Sequence, residues 1–181
     1  MKKVLFVSLL SIFCINNNSA QYYFGAGLYF DTLIPLGNLT DYNYEYRIGY
    51  GLNAELMLEM TEGFHITLSS GYSVFECKTH SDFTLSIIPV YLGLRMYPLY
   101  GSFMPYLNVE GGINFMFQDA YKELEPEEVQ KTKLGFGLGG GFLFLESEFL
   151  KLDLNILYNF INTKTISSKF ISCKFGVAFG L

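Results

Sequence analysis

The sequence predicts an all-β fold, eight antiparallel strands in an up-and-down barrel. Three observations predict it. Along eight segments of roughly 10–13 residues, large apolar residues alternate with small or polar ones at period two. The connections between these segments alternate between short and long. Half of the residues are hydrophobic and 18% are aromatic, yet beyond the N-terminal stretch no apolar run is long enough for a membrane helix. The apolar residues are therefore distributed by alternation.

The first segment, 22–33, places Phe24, Ala26, Leu28 and Phe30 on one face and Tyr23, Gly25, Gly27, Tyr29 and Asp31 on the other. The second, 48–59, sets Ile48, Tyr50, Leu52, Ala54, Leu56 and Leu58 against Gly49, Gly51, Asn53, Glu55, Met57 and Glu59. The third, 64–75, sets Phe64, Ile66, Leu68, Tyr72 and Val74 against His65, Thr67, Ser69, Gly71 and Ser73. The fourth, 87–97, is the least regular, with Ile88, Val90, Leu92, Leu94 and Met96 opposite Pro89, Tyr91, Gly93 and Arg95. In the fifth, 105–117, Leu107, Val109, Ile113, Phe115 and Phe117 face away from Tyr106, Asn108, Glu110, Gly112 and Asn114.

The sixth segment, 132–146, contains "GFGLGG" at 135–140, a literal match to the glycine pattern that cradles a dinucleotide pyrophosphate. That chemistry needs a strand ending at the glycines and a helix starting there, because the helix N-terminus holds the phosphates. Here Leu134, Phe136, Leu138, Phe142 and Phe144 alternate with Gly135, Gly137, Gly139 and Gly141, and the strand pattern simply continues. The nucleotide reading fails, and Gly140 is a single gap in the apolar face. The seventh segment, 150–161, alternates Leu150, Leu152, Leu154, Ile156, Tyr158 and Phe160 with Lys151, Asp153, Asn155 and Asn159. The eighth, 170–181, alternates Ile171, Cys173, Phe175, Val177, Phe179 and Leu181 with Ser172, Lys174, Gly176, Ala178 and Gly180.

Short linkers follow segments two, four and six: "MTEG" (60–63), "PLYGSFM" (98–104) and "ESEF" (146–149). The others are longer or more polar: 35–47, 76–82, 118–133 and 162–169. Turns at one end and loops at the other, with strands of about ten residues, are features of a transmembrane β-barrel. A soluble barrel would turn its apolar face inward and carry many Lys and Glu outside. Here the polar face is Gly, Asn, Ser, Tyr and a few charges of both signs, suited to the crowded interior of an eight-stranded barrel. The apolar face is therefore placed in lipid, with both termini at the short-turn, periplasmic end. On that assignment Leu138→Arg is expected to impair insertion, and the inward Gly139→Ala to be milder, acting through crowding.

Residues 1–20 read as a secretory signal peptide: "MKK", a twelve-residue apolar stretch, then "NNNSA" before a cut after Ala20. Phe13 stands where a small residue would precede a lipidated Cys14, which disfavours a lipoprotein. Residues 21–181 are then the barrel domain. Without Lys2 and Lys3 it carries 10 Lys+Arg against 17 Asp+Glu, net −7, and offers no electrostatic basis for binding nucleic acid. Cys77 and Cys173 do not make a disulfide framework. His65 and His80 have no partner at a familiar metal-ligand spacing, so neither a metal nor a cofactor is expected.

The leader, the eight alternating segments and the ending "KFGVAFGL" resemble the small OmpA/OmpX-type outer-membrane barrels. The chain is similar to the outer-membrane β-barrel domain proteins of Bacteroidota-like bacteria, which share segments like "IIPVYLGLRMYP" (87–98) and "FMPYLNVEGGINF" (103–115). It departs from them in its final Leu181, where an aromatic is usual, although Phe179 lies on the same face. The resemblance implies an outer-membrane protein in contact with lipid and lipopolysaccharide, inserted by the barrel-assembly machinery. It speaks to fold far more than to role.

Five charges face inward: Glu55, Arg95, Glu110, Asp153 and Lys174. Buried charges must be paired, because desolvating one alone costs several kcal/mol. Two roles are open to them: ion pairs that close the lumen, or a narrow gated path. The filled interior of eight-stranded barrels favours the first. Glu110 and Lys174 lie at similar heights, and Arg95, on the neighbouring strand, is expected to share the charge of Glu110. His80, Ser81 and Asp82 invite a hydrolase reading, but adjacent residues on an extended chain point apart and make no triad. His65, near the short-turn boundary, reads as an interfacial side chain. The acidic loop with Asp119, Glu123, Glu125, Glu127 and Glu128 reads as solvated, or as bridging divalent cations to lipopolysaccharide phosphates. With no Trp, an interfacial belt must use Tyr and Phe, with Tyr22, Phe64, Tyr158 and Phe179 suitably placed. The expected function is a non-enzymatic envelope-structural or surface-contact barrel. The alternatives are a small-solute pore and a lipid-modifying enzyme.

Overall fold

The computed structural model describes residues 24–40, 46–78, 84–99, 101–118, 131–145, 150–162 and 168–180. Eight strands run β1 (Phe24–Gly37), β2 (Gly49–Thr61), β3 (Phe64–Glu76), β4 (Thr84–Met96), β5 (Phe103–Gln118), β6 (Lys131–Leu145), β7 (Leu150–Asn162) and β8 (Ser168–Phe179). Each pairs antiparallel with its neighbour in sequence, and β8 closes on β1. Closure is what lipid demands, because an open edge would leave a row of backbone groups without partners. The only helical piece among the described residues is a single 3-10 turn, Asn38–Thr40. None of those residues forms a helix long and apolar enough to cross a membrane.

The alternation survives in register. Phe24, Leu28, Phe30, Leu52, Leu56, Leu68, Leu92, Leu94, Val109, Phe136, Leu138, Ile156 and Phe175 are all exposed on the outer surface. The residues between them are buried inside. Phe64 and Phe179 are also exposed outside, near the turn end, whereas Tyr158 is exposed in register with Leu138 at the middle of β6, away from the interface expected for it. On the turn-end exterior, Phe103 stacks on Phe142 at 4.8 Å and meets Phe144 edge-on at 5.2 Å. Aromatic rings of this kind sit at the headgroup level of a bilayer. Tyr22, the leader, the acidic loop and Leu181 lie outside the described residues.

The strand ends differ from the sequence expectation. β1 continues through Pro35, Leu36 and Gly37, which the sequence assigns to a linker. Pairing of β1 with β2 stops at Leu33↔Gly49, whereas pairing with β8 runs on through Pro35↔Phe170 to Gly37↔Ser168. Past Leu33 no described residue pairs with β1 on its β2 side, and a proline is tolerated on such an edge. β4 begins at Thr84 and β8 at Ser168, so both are longer at the loop end than periodicity alone shows. Met60 and Thr61 belong to β2, and the first turn shrinks to Glu62 and Gly63. Gly63 has φ of 85°, a left-handed conformation that favours glycine.

The glycines of β6 turn inward at Gly135, Gly137 and Gly141, as the alternation requires. The crowding expected at Gly139 is against backbone. A Cβ at Gly139 would run into the backbone oxygen of Ile156 and sit 2.9 Å from Leu157 Cα. Backbone in a closed ladder cannot move aside as a side chain does. Gly139→Ala is therefore expected to cost about 1–3 kcal/mol, the range for overpacking. At Gly137 the nearest atoms are side-chain ones, Glu110 Cγ at 2.7 Å and Asn159 Oδ1 at 3.0 Å, so Gly137→Ala should cost less. Urea unfolding of the two variants in the same detergent checks the order, and equal stability would contradict the close β6–β7 approach.

Candidate functional site

The lumen is where the polar faces of all eight strands converge, and its contents follow from the size of the side chains. Several inward glycines leave recesses that tyrosine rings fill. A Cβ at Gly141 would sit 2.6 Å from the hydroxyl of Tyr106, and one at Gly27 would sit 2.5 Å from that of Tyr29. Tyr29 and Tyr106 can therefore lie across the interior and reach the strand that carries Asp153. The Tyr29 hydroxyl donates to Asp153 Oδ2 at 2.9 Å, and the Tyr106 hydroxyl donates to Asp153 Oδ1 at 2.5 Å.

Arg95, on β4, is fully buried and projects into the same cluster. Its Nη1 donates to Asp153 Oδ2 at 2.8 Å, and its Nη2 lies 2.6 Å from Glu55 Oε1. The second contact is an ion pair without hydrogen-bond alignment, so its attraction is Coulombic. The guanidinium also lies 4.5 Å from the centre of the Tyr106 ring, a cation–π contact. One cation thus holds two carboxylates taken from β2 and β7, on different sides of the barrel.

A second charged group sits nearer the loop end. Lys174 Nζ lies 3.8 Å from Glu110 Oε1. Asp31 stands opposite Lys174 across the β1–β8 seam, and it is buried. Tyr91 and Asn114 exchange hydrogen bonds beside them at 2.8–3.0 Å, and Asn159 donates to Ser172 at 3.2 Å. Asp31, Asn53, Glu110, Asn114, Asn159 and Lys174 help to line a cavity of about 30 Å³, room enough for water.

Apolar layers lie inside the barrel beyond both charged groups. At the loop end Leu33, Leu39, Tyr46, Phe75, Cys77, Leu85, Ile87, Ile161 and Phe170 form one buried cluster. At the turn end Met57, Tyr97, Met104, Tyr106, Leu143 and Ala178 form another. Water leaves a narrow apolar constriction readily, which is how hydrophobic gates close.

All five charges expected inside are buried there. The partners differ from expectation in one respect. Arg95 is paired with Glu55 and Asp153 rather than sharing Glu110, whose neighbour across β4–β5 is Gly93. Asp31, on the inward face of β1 but not among the five, stands in register with Lys174 where β8 closes on β1. The apolar layers are not legible in the pattern: Phe75 and Ile161 lie next to strand ends, and Leu33 closes the segment that periodicity alone shows. His65 is not interfacial. It is buried inside, its ring 4.6 Å from that of Tyr97. His80, Ser81 and Asp82 lie outside the described residues.

The two pairs of charges predict different sensitivities. Lys174→Met is expected to cost about 2 kcal/mol, the range for leaving a buried polar group unsatisfied, because its contact with Glu110 is long. Combining it with Glu110→Gln should recover part of the loss, with Asp31 left unpaired. A double-mutant cycle by urea unfolding measures the coupling, and a coupling of zero would separate the two residues.

No family model matches the sequence, and no curated protein matches it either. Solved structures do match in fold. Neisserial surface protein A is similar at 14% identity with a TM-score of 0.64, covering 90% of this chain and 98% of that one. Outer membrane protein W of Escherichia coli is similar at 11% identity and a TM-score of 0.58, covering 91% and 100%. Ail, the attachment invasion locus protein of Yersinia pestis, is similar at 13% identity and a TM-score of 0.55, covering 87% and 96%. At such identities the likeness is one of fold: a small eight-stranded barrel of the outer-membrane type.

Proposed function

We propose that the chain is an integral outer-membrane barrel with a plugged lumen, acting without catalysis as an envelope-structural or surface-contact protein. The observation that carries this reading is the filled interior. A charged and tyrosine-lined middle holds about 30 Å³ of space, and apolar side chains close it toward each end. A lumen filled in this way supports a rigid post in the bilayer rather than a conduit. The exposed apolar exterior supports contact with lipid and lipopolysaccharide.

In this reading residues 1–20 are removed on export, both termini are periplasmic, and the barrel-assembly machinery inserts residues 21–181. The four longer connections then face outward, where an extracellular partner would meet them. The five inward charges, with Asp31, have a structural role: they tie β1, β2, β4, β5, β7 and β8 across the interior. Among the structural neighbours, one is named a surface protein and another an attachment invasion protein, which supports a role at the cell surface.

Fractionation with heat-modifiable gel mobility tests the barrel, and planar bilayers test the plug. Silent bilayers are expected from the folded wild type. Steady conductance, altered by Lys174→Met or Arg95→Met, would overturn the plug in favour of a small-solute pore.

A further inference from the structure

The chamber around Lys174 has an imbalance that the protein's own groups do not correct. Asp31 Oδ1, Asn53 Oδ1 and Glu110 Oε2 are buried and have no hydrogen-bond partner in the protein. All three residues line the 30 Å³ cavity. Each orphaned atom is an acceptor oxygen, and Lys174, the cation among the described lining residues, stands 3.8 Å from Glu110 Oε1, beyond hydrogen-bond reach. Asn53 is neutral and 5% exposed, so its unmet oxygen is independent of the acidic pair. The formal charge of the chamber is −1, two carboxylates against one ammonium, and the three orphaned oxygens are themselves cut off from solvent that could compensate that charge.

From this the geometry points to a binding site for one dehydrated monovalent cation of about sodium size, held by Asp31, Glu110 and the amide oxygen of Asn53. Hard cations take oxygen ligands, which is what the three orphans provide. The volume admits a small occupant. Charge selects the valence. One monovalent ion brings the chamber to neutrality, whereas a divalent ion beside Lys174 would leave it at +1. A water molecule would satisfy hydrogen bonds and leave the charge uncorrected. The site rests on the closed-lumen reading only in that solvent is kept from the chamber.

The test uses the full mature barrel refolded in zwitterionic detergent. Its heat-unfolding midpoint, followed by gel mobility, is titrated with sodium chloride against choline chloride at equal ionic strength and fixed pH. Sodium should raise the midpoint saturably by several degrees, and choline should not, because a ligand that binds only the folded state stabilises it by mass action. Asp31→Asn should remove the sodium response. Asn53→Ala keeps every charge and should weaken it, which serves if the first variant does not fold. Lys174→Met raises the chamber charge to −2, and calcium should then become the stabilising ion. Equal responses to sodium and choline, or an unchanged sodium response in both Asp31→Asn and Asn53→Ala, would overturn the site. So would a midpoint that follows pH and ignores sodium, since a proton would then be neutralising the chamber. A sodium response in a barrel that also conducts would overturn the plug and the dehydrated occupant together, whereas loss of the sodium response in a silent barrel would overturn the site alone.

Discussion

Arg95→Met should unfold the barrel at markedly lower urea, a loss of about 3–5 kcal/mol, the range for breaking a buried ion pair from one side. The size follows from what the guanidinium holds. Glu55 and Asp153 are both buried, at 2% and 0% exposure, and Arg95 is the cation in salt-bridge contact with each. Asp153 would keep the hydroxyls of Tyr29 and Tyr106, but Glu55 would lose its ion pair. Glu55→Gln added to Arg95→Met should therefore recover more stability than Asp153→Asn added to it. Arg95→Lys should not restore the wild type, because a single ammonium cannot serve two carboxylates in the fork geometry of a guanidinium. Urea titrations of the four variants in one detergent give the order. A wild-type midpoint for Arg95→Met would mean that the carboxylates are neutralised by some other route.

The same cluster shows what a linear sequence reveals and what it hides. That Glu55, Arg95 and Asp153 point inward was legible, because period two fixes the face of every strand residue once one face is assigned to lipid. That Arg95 turns to Glu55 and Asp153 was not. Neither carboxylate is on a strand paired with β4, so the contacts cross the lumen, and their reach depends on strand tilt and stagger around the closed barrel. Asp31 was hidden for a related reason: it comes into register with Lys174 only at the seam where the first strand joins the last. The recesses under Tyr29 and Tyr106 were half visible. The alternation marked Gly27 and Gly141 as inward, but only the three-dimensional packing shows that the rings occupy the space the glycines leave. The apolar caps escaped because a buried Phe75 or Ile161 next to a strand end has the same composition as a lipid-facing residue. Parity alone distinguishes them, and parity is weakest where the strand boundary is uncertain.

Leu138→Arg tests the other half of the assignment, the outer face. Leu138 is 63% exposed on β6, with Val109 and Tyr158 as its register partners on β5 and β7. Its cost on folding into lipid vesicles should be about 2–4 kcal/mol, the value for Arg near the midplane of a barrel's lipid face. Thr132 is on the same face of the same strand and also exposed, six residues closer to the loop end. At about 3.3 Å per residue and a tilt of about 40°, that separation raises it by roughly 15 Å along the barrel axis. Half of the ~25 Å apolar band lies within that distance. Thr132→Arg should therefore sit at the interface and cost about 0–1 kcal/mol. In detergent, whose micelle adapts around a charge, the difference between the two variants should shrink. In vesicles it should reappear, and it should grow as the acyl chains of the lipid are lengthened, because a thicker bilayer places more hydrocarbon around position 138. Equal tolerance of arginine at 132 and 138 in vesicles would mean that no bilayer surrounds β6, and that the exposed leucines and phenylalanines of the outer face need some other cover.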